Sequence, residues 1–144
     1  MTPSDPTFVD LAGADLHAVE DPTRHAVVAA RAASAKKGTD TVVLRVGPVL
    51  GIAEFFIITT GANDRQVKAI AEEIEQQVAE GGGGRPLNVE GFESRQWVLL
   101  DYGDMVVHVF RGDVREFYSL DRLWSDMEQI DWTEPGEGPV EEFS

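Results

Sequence analysis

The chain has 144 residues, enough for one domain with a hydrophobic core and tails. Its formal net charge of −14, from 26 acidic against 12 basic residues, repels phosphate backbones and anionic membranes and favours basic protein partners. Cysteine is absent, which excludes disulfides, thiolate nucleophiles and thiolate-held metals.

Residues 1–20 mix Pro, Asp and Thr with scattered apolar side chains and read as a flexible acidic extension. A helix is predicted over about 22–37, with Asp21 as N-cap, Pro22 at the first helical position, Lys36 and Lys37 in the last turn and Gly38 beyond the end. Thr41–Val46 is short and β-branched, a strand; Gly47, Pro48 and Gly51 punctuate the connection to a second strand over Glu54–Thr60. The near-continuous apolar run of that second strand predicts burial on both faces. Asn63 is the expected N-cap of a helix over about 64–80, with Gln66 as its capping-box partner and Val67, Ile70, Ala71, Ile74 and Val78 as the core stripe. After the Gly81–Gly84 loop, Pro86–Glu90 reads as a short strand. The hairpin region follows, and one or two short helices carry Phe117, Leu120, Leu123 and Trp124 against the sheet. The domain therefore spans 21–125, and residues 126–144 form an acidic tail expected to be disordered. This order predicts an α/β domain with a mixed, roughly five-stranded sheet and flanking helices. No segment approaches the roughly 20 apolar residues of a bilayer span, and the N-terminus lacks a basic stretch followed by an apolar run, so the expected location is the cytoplasm.

Residues 97–110 carry the most information. Two β-rich runs flank Tyr102-Gly103, read as a two-residue loop whose glycine tolerates positive φ. That register pairs Asp101 with Asp104, Leu99 with Val106 and Trp97 with His108. Alternation then sorts the side chains. Val98, Leu100, Met105, Val107 and Val109 form an apolar core face. Trp97, Leu99, Asp101, Asp104, Val106, His108 and Phe110 form a second face that reads as too polar for a core and too aromatic for an idle surface. The facing aspartates read equally well, taken alone, as turn formers; together with Trp97 and the aliphatics they suit a partner surface for a basic protein.

Candidate chemistry is sparse. His17, His25 and His108 have no metal-ligand spacing, and no serine sits in a nucleophile elbow. Gly81–Gly84 follows a helix rather than preceding one and lacks a Lys-Ser/Thr ending, so it is a linker and not a phosphate cradle. Asp101 and Asp104 as metal ligands require a further converging carboxylate, for which Asp40 and Glu54 are candidates by position only. An enzyme with a cofactor or metal is not expected.

Several co-linear blocks between about 26 and 124 resemble the ribosomal silencing factor family, also called the Iojap-related family. They are Asp40–Leu44, Ala53–Gly61, Asn63–Ala71, Arg85–Leu87 with Glu90-Gly91, Trp97–Val109 and Arg115–Trp124. The resemblance implies a nucleotidyltransferase-like fold without catalytic apparatus and binding to the fourteenth protein of the large ribosomal subunit. Occupying that face would block joining of the small subunit and lower translation under nutrient limitation, with a homodimer as the free form. Carried over residue by residue, the partner-contacting positions match Trp97, Asp101, Tyr102 and Gly103, with Leu99, Asp104 and His108 as hairpin neighbours. Arg45 departs from the acidic residue that many members have there, and the long acidic ends have no counterpart in the family pattern. The competing function is a nucleotidyltransferase-like enzyme acting on a nucleotide with a divalent metal; a third is an adaptor for an unrelated protein.

Overall fold

The computed structural model describes residues 22–118 and 127–133. In chain order its elements are α1 (Pro22–Ala35), β1 (Thr39–Arg45), α2 (Gly47–Leu50), β2 (Phe55–Gly61), α3 (Asp64–Glu80), β3 (Asn88–Glu90), β4 (Trp97–Asp101), β5 (Met105–Arg111), α4 (Gly112–Tyr118) and β6 (Glu128–Gln129). The strands make one mixed sheet in the order β3-β4-β5-β2-β1-β6. β2 and β5 pair in parallel at its centre, and the remaining pairs are antiparallel.

Helix α1 ends two residues before its predicted limit. The Gly38 N–H reaches the Ala33 carbonyl (2.9 Å) and the Lys37 N–H the Ser34 carbonyl (2.9 Å), a Schellman closure with Lys37 itself left-handed at φ 65°. Gly38 is needed for a different reason: a Cβ there would lie 2.5 Å from Thr59 Oγ1. Asn63 caps α3 as expected, accepting from the Gln66 N–H (2.9 Å). The Gln66 side chain reaches back to the Ala62 N–H and donates to the carbonyls of Lys36 and Lys37 (3.1 and 3.0 Å), tying the start of α3 to the end of α1.

Both long helices pack on one face of the sheet. Alanines 26, 29, 30, 32 and 33 of α1 and the stripe Val67, Ile70, Ala71, Ile74 and Val78 of α3 meet Val43, Phe55, Ile57, Val98, Leu100, Met105, Val107 and Val109. Alanines on α1 let it lie close to the sheet, and every residue of β2 is buried, as its apolar run predicted. The opposite face holds a second, smaller core of Leu44, Val46, Ala53, Phe56, Ile58 and Phe110, with Val42, Val106, Val114 and Met127 packed against it.

Two differences from the sequence reading matter. The hairpin register is Trp97 with Phe110, Val98 with Val109, Leu99 with His108, Leu100 with Val107 and Asp101 with Val106. The Tyr102 N–H donates to the Met105 carbonyl (2.9 Å), so the central turn residues are Gly103-Asp104, one step on from Tyr102-Gly103. Gly103 sits at φ 93°, the conformation that the first central position of a II′-type turn demands. Asp101 and Asp104 therefore do not face each other. A one-residue slide of the turn changes every partner by two, which preserves the faces.

The second difference is in the tail. Residues 127–133, read from sequence as the start of a disordered segment, carry β6. It pairs Gln129 with Leu44 and Glu128 with Arg45, and the Ile130 N–H continues to the Val43 carbonyl (2.8 Å). Trp132 donates its indole N–H to the Thr41 carbonyl (3.0 Å), and Arg31 donates to the Trp132 carbonyl (3.0 Å). Arg45, the departure from the family pattern, bridges Glu54 (3.0 Å) and Glu128 (3.1 Å). Residues 1–21, including the expected N-cap Asp21, residues 134–144, and the side chains of Phe117, Leu120, Leu123 and Trp124 lie outside the described residues.

Candidate partner-binding site

Strand β4 lies one place from the sheet edge, covered only by the three-residue β3. Its pleat sends Val98 and Leu100 under the helices and Trp97, Leu99 and Asp101 to the other face. Trp97 remains 37% exposed. Its indole N–H donates to His108 Nδ1 (3.2 Å), and its ring lies 4.8 Å from that of Phe110. The His108 ring in turn meets Phe56 edge-on at 4.7 Å.

This places His108 differently from expectation. The histidine is 6% exposed, inside the core and not on a partner surface, and burial lowers its pKa from 6.5 to about 4. Near neutral pH the imidazole is uncharged. Because the indole N–H can only donate, Nδ1 is the acceptor and the ring proton sits on Nε2. His108 therefore stands behind the surface, fixing the orientation of Trp97. Phe110 is fully buried. The second hairpin face is thus a core at β5 and a surface only at β4, because β4 lies toward the sheet edge.

At the tip the predicted residues divide. Asp101 is half-buried, and its carboxylate accepts from the Gly103 N–H (2.8 Å), so it shapes the turn while carrying charge. Asp104 is exposed; its carbonyl accepts from the N–H groups of Glu54 (2.8 Å) and Phe55 (3.2 Å), which couples the tip to the start of β2. Tyr102 packs on the helix side against the main core. Among the described residues its buried hydroxyl has no hydrogen-bond partner, and burial, then the charge of Glu75, raises its pKa.

The carboxylates proposed for metal binding do not assemble. Asp40 opens β1, at the end of the sheet opposite Asp101 and Asp104, and the Glu54 carboxylate is held by Arg45. Among the described residues no group of three or more His, Asp or Glu side chains converges on a metal position. A shallow cavity of about 650 Å³ lies at that opposite end, between Ala62–Arg65 and Arg111–Asp113. Its Arg111 guanidinium is already held by Asp64 (2.8 Å) and Asp113 (2.7 Å). The Gly81–Gly84 run closes α3, with the Gly81 N–H on the Gln77 carbonyl (2.9 Å) and the Gly83 N–H on the Val78 carbonyl (2.8 Å).

Sequence reasoning missed two aliphatic residues beside the tip. Leu87 is 77% exposed, and a Cβ on Gly103 would lie 3.3 Å from its Cδ1; Ile52 is 73% exposed in the loop before β2. A lone aliphatic residue in a loop gives no periodic signal, and only the strand order brings these two to the hairpin.

The family model "Ribosomal silencing factor during starvation" matches residues 19–142. The ribosomal silencing factor RsfS of Bacillus subtilis is 42% identical over 99 residues, covering 69% of this chain and 83% of the relative. The chloroplastic protein Iojap of Arabidopsis thaliana is 36% identical over 106 residues, covering 74% of this chain and 44% of that one. In structure, the chain is similar to a crystallised Chromobacterium violaceum protein with a TM-score of 0.67 and 35% identity, covering 72% and 85% of the two chains.

Proposed function

The chain belongs to the ribosomal silencing factor family, and from that premise we propose that it binds the fourteenth protein of the large ribosomal subunit and blocks joining of the small subunit. Translation falls as a result when nutrients are limiting. The factor acts in the cytoplasm, without catalysis, cofactor or metal, and is a homodimer when free. The observation that carries this reading is the outer face of β4: Trp97 held half-exposed by His108 and Phe110, Leu99 beside it, and the acidic tip of Asp101, Tyr102, Gly103 and Asp104 at its end. An aromatic anchor whose orientation is already fixed loses little conformational entropy on docking. Acidic groups at the other end of the same strand, on a chain of net charge −14, steer toward a basic protein and away from the surrounding RNA. The separation of Asp40 from the hairpin carboxylates supports a binding role over metal-dependent nucleotidyl transfer.

Sedimentation of mixed ribosomal subunits with increasing amounts of the protein tests the reading. Intact ribosomes should decline as the protein reaches stoichiometric excess, and an unchanged profile refutes it. Trp97→Ala should weaken binding to isolated large subunits by about 30-fold or more, the scale of about 2 kcal/mol typical of a buried aromatic anchor. Asp101→Asn keeps the acceptor for the Gly103 N–H and removes the charge, whereas Asp101→Lys reverses it. Graded loss from aspartate to asparagine to lysine is the expected outcome. Equal binding by all three would return Asp101 to a turn former alone.

A further inference from the structure

Leu87, Ile52 and Leu50 are separated by up to 37 positions of sequence, yet the topology gathers them at one end of the sheet. β3 begins after Leu87, the β4–β5 turn spans Tyr102–Met105, β2 begins after Glu54, and β1 ends before the short helix that carries Leu50. The backbone fixes these neighbours. The Leu87 N–H donates to the Asp101 carbonyl (2.7 Å), and the Glu54 N–H donates to the Asp104 carbonyl (2.8 Å). From β3 to β2 in the order β3-β4-β5-β2 there are three strand spacings of about 4.8 Å each, so the entries to these two strands, which Leu87 and the Ile52 loop lead into, lie about 14 Å apart with the acidic turn between them.

Both residues are presented outward. Leu87 is 77% exposed and lies against Gly103, where any side chain would crowd it. Ile52 is 73% exposed and Leu50 40% exposed; they flank Gly51, whose left-handed conformation (φ 72°) closes α2 with open space around it. Exposed aliphatic residues scattered singly carry no message, but here they share one end with the tip. The charges between them are acidic: Asp101, Asp104 and Glu54, the last paired with Arg45, which Glu128 also holds.

We infer that the docking surface is a strip across this end of the sheet, with Leu87 and Ile52 as apolar anchors on either side of the acidic turn. This rests on the reading above that the hairpin tip meets the basic large-subunit protein. Charge complementarity selects that occupant: aliphatic contacts flanking carboxylates fit a protein surface whose apolar residues lie among Lys and Arg side chains. The anchors supply apolar burial, while the aspartates supply steering and register.

Aspartate substitutions discriminate, because each adds negative charge. Were the surface purely electrostatic, Ile52→Asp and Leu87→Asp would bind a basic partner as well as before or better; as apolar anchors, each should bind isolated large subunits at least tenfold more weakly. Both positions are too exposed for folding to suffer, so thermal midpoints should match the wild type, and Asp101→Lys runs alongside as the marker of the hairpin reading. Loss by all three variants supports the strip. Loss by Asp101→Lys alone overturns the strip and leaves the hairpin standing. Normal binding by all three overturns both. Altered self-association in sedimentation velocity with unchanged subunit binding would assign the strip to a contact between copies, and overturns the inference as well.

Discussion

Lowering the pH should unfold this protein partly through one buried histidine. His108 is held neutral among Phe56, Phe110 and Trp97, with a folded-state pKa near 4 against 6.5 when exposed. A depressed histidine pKa means that the unfolded chain binds the proton more tightly than the folded one. Stability is therefore full above pH 6.5 and declines as pH falls through the window from 6.5 to about 4. At about 1.4 kcal/mol per pH unit, the total loss is about 3 kcal/mol, a substantial part of the roughly 5–15 kcal/mol that holds a typical domain. Protonation also acts locally. Charging Nδ1 removes the acceptor of the Trp97 indole N–H, so the proposed anchor should loosen before the whole domain unfolds. Urea unfolding at pH 7.5, 6, 5 and 4.5 measures the effect against His108→Asn, which keeps a polar acceptor and does not titrate. The carboxylates titrate in both proteins and cancel in the difference. The wild type should lose about 2.5 kcal/mol relative to the variant between pH 7.5 and 4.5, the remainder following below pH 4.5. Parallel pH curves for the two proteins would refute the assignment of His108 as a buried neutral group.

Three other substitutions probe how the ends of elements and of the domain are closed. Gly38→Ala places a Cβ 2.5 Å from Thr59 Oγ1, a buried hydroxyl that shares a hydrogen bond with Thr41 (2.8 Å), and should cost about 2 kcal/mol in denaturant unfolding. Lys37→Gly one residue earlier should stabilise by up to about 1 kcal/mol, because position 37 is left-handed and makes no such close approach. Trp132→Ala removes the indole packed against the main core and its bond to Thr41, and should lower stability by about 2 kcal/mol. An unchanged unfolding midpoint would show that residues 127–133 contribute nothing to the fold.

Much of this architecture is local chemistry and is legible in the linear chain. The stripe Val67, Ile70, Ala71, Ile74 and Val78 buries as its helical spacing requires, Asn63 caps α3, and the continuous apolar run at 55–61 lies in a strand covered on both faces. Even with the turn placed one residue early, the two hairpin faces come out right, because side-chain alternation depends on parity and not on the partner. The acidic balance that favours a basic partner needs no structure at all. What the chain alone leaves open depends on which strands become neighbours. His108 is buried because β5 lies inside the sheet, whereas Trp97 on β4 stays half-exposed near its edge, although the two residues look alike in pattern. Ile130 and Trp132 sit in an acidic stretch with the composition of a disordered tail, and only the open edge of β1 gives them a place to pair and pack. Leu87 and Ile52 become neighbours of the hairpin tip through strand order, a long-range property that no local spacing encodes.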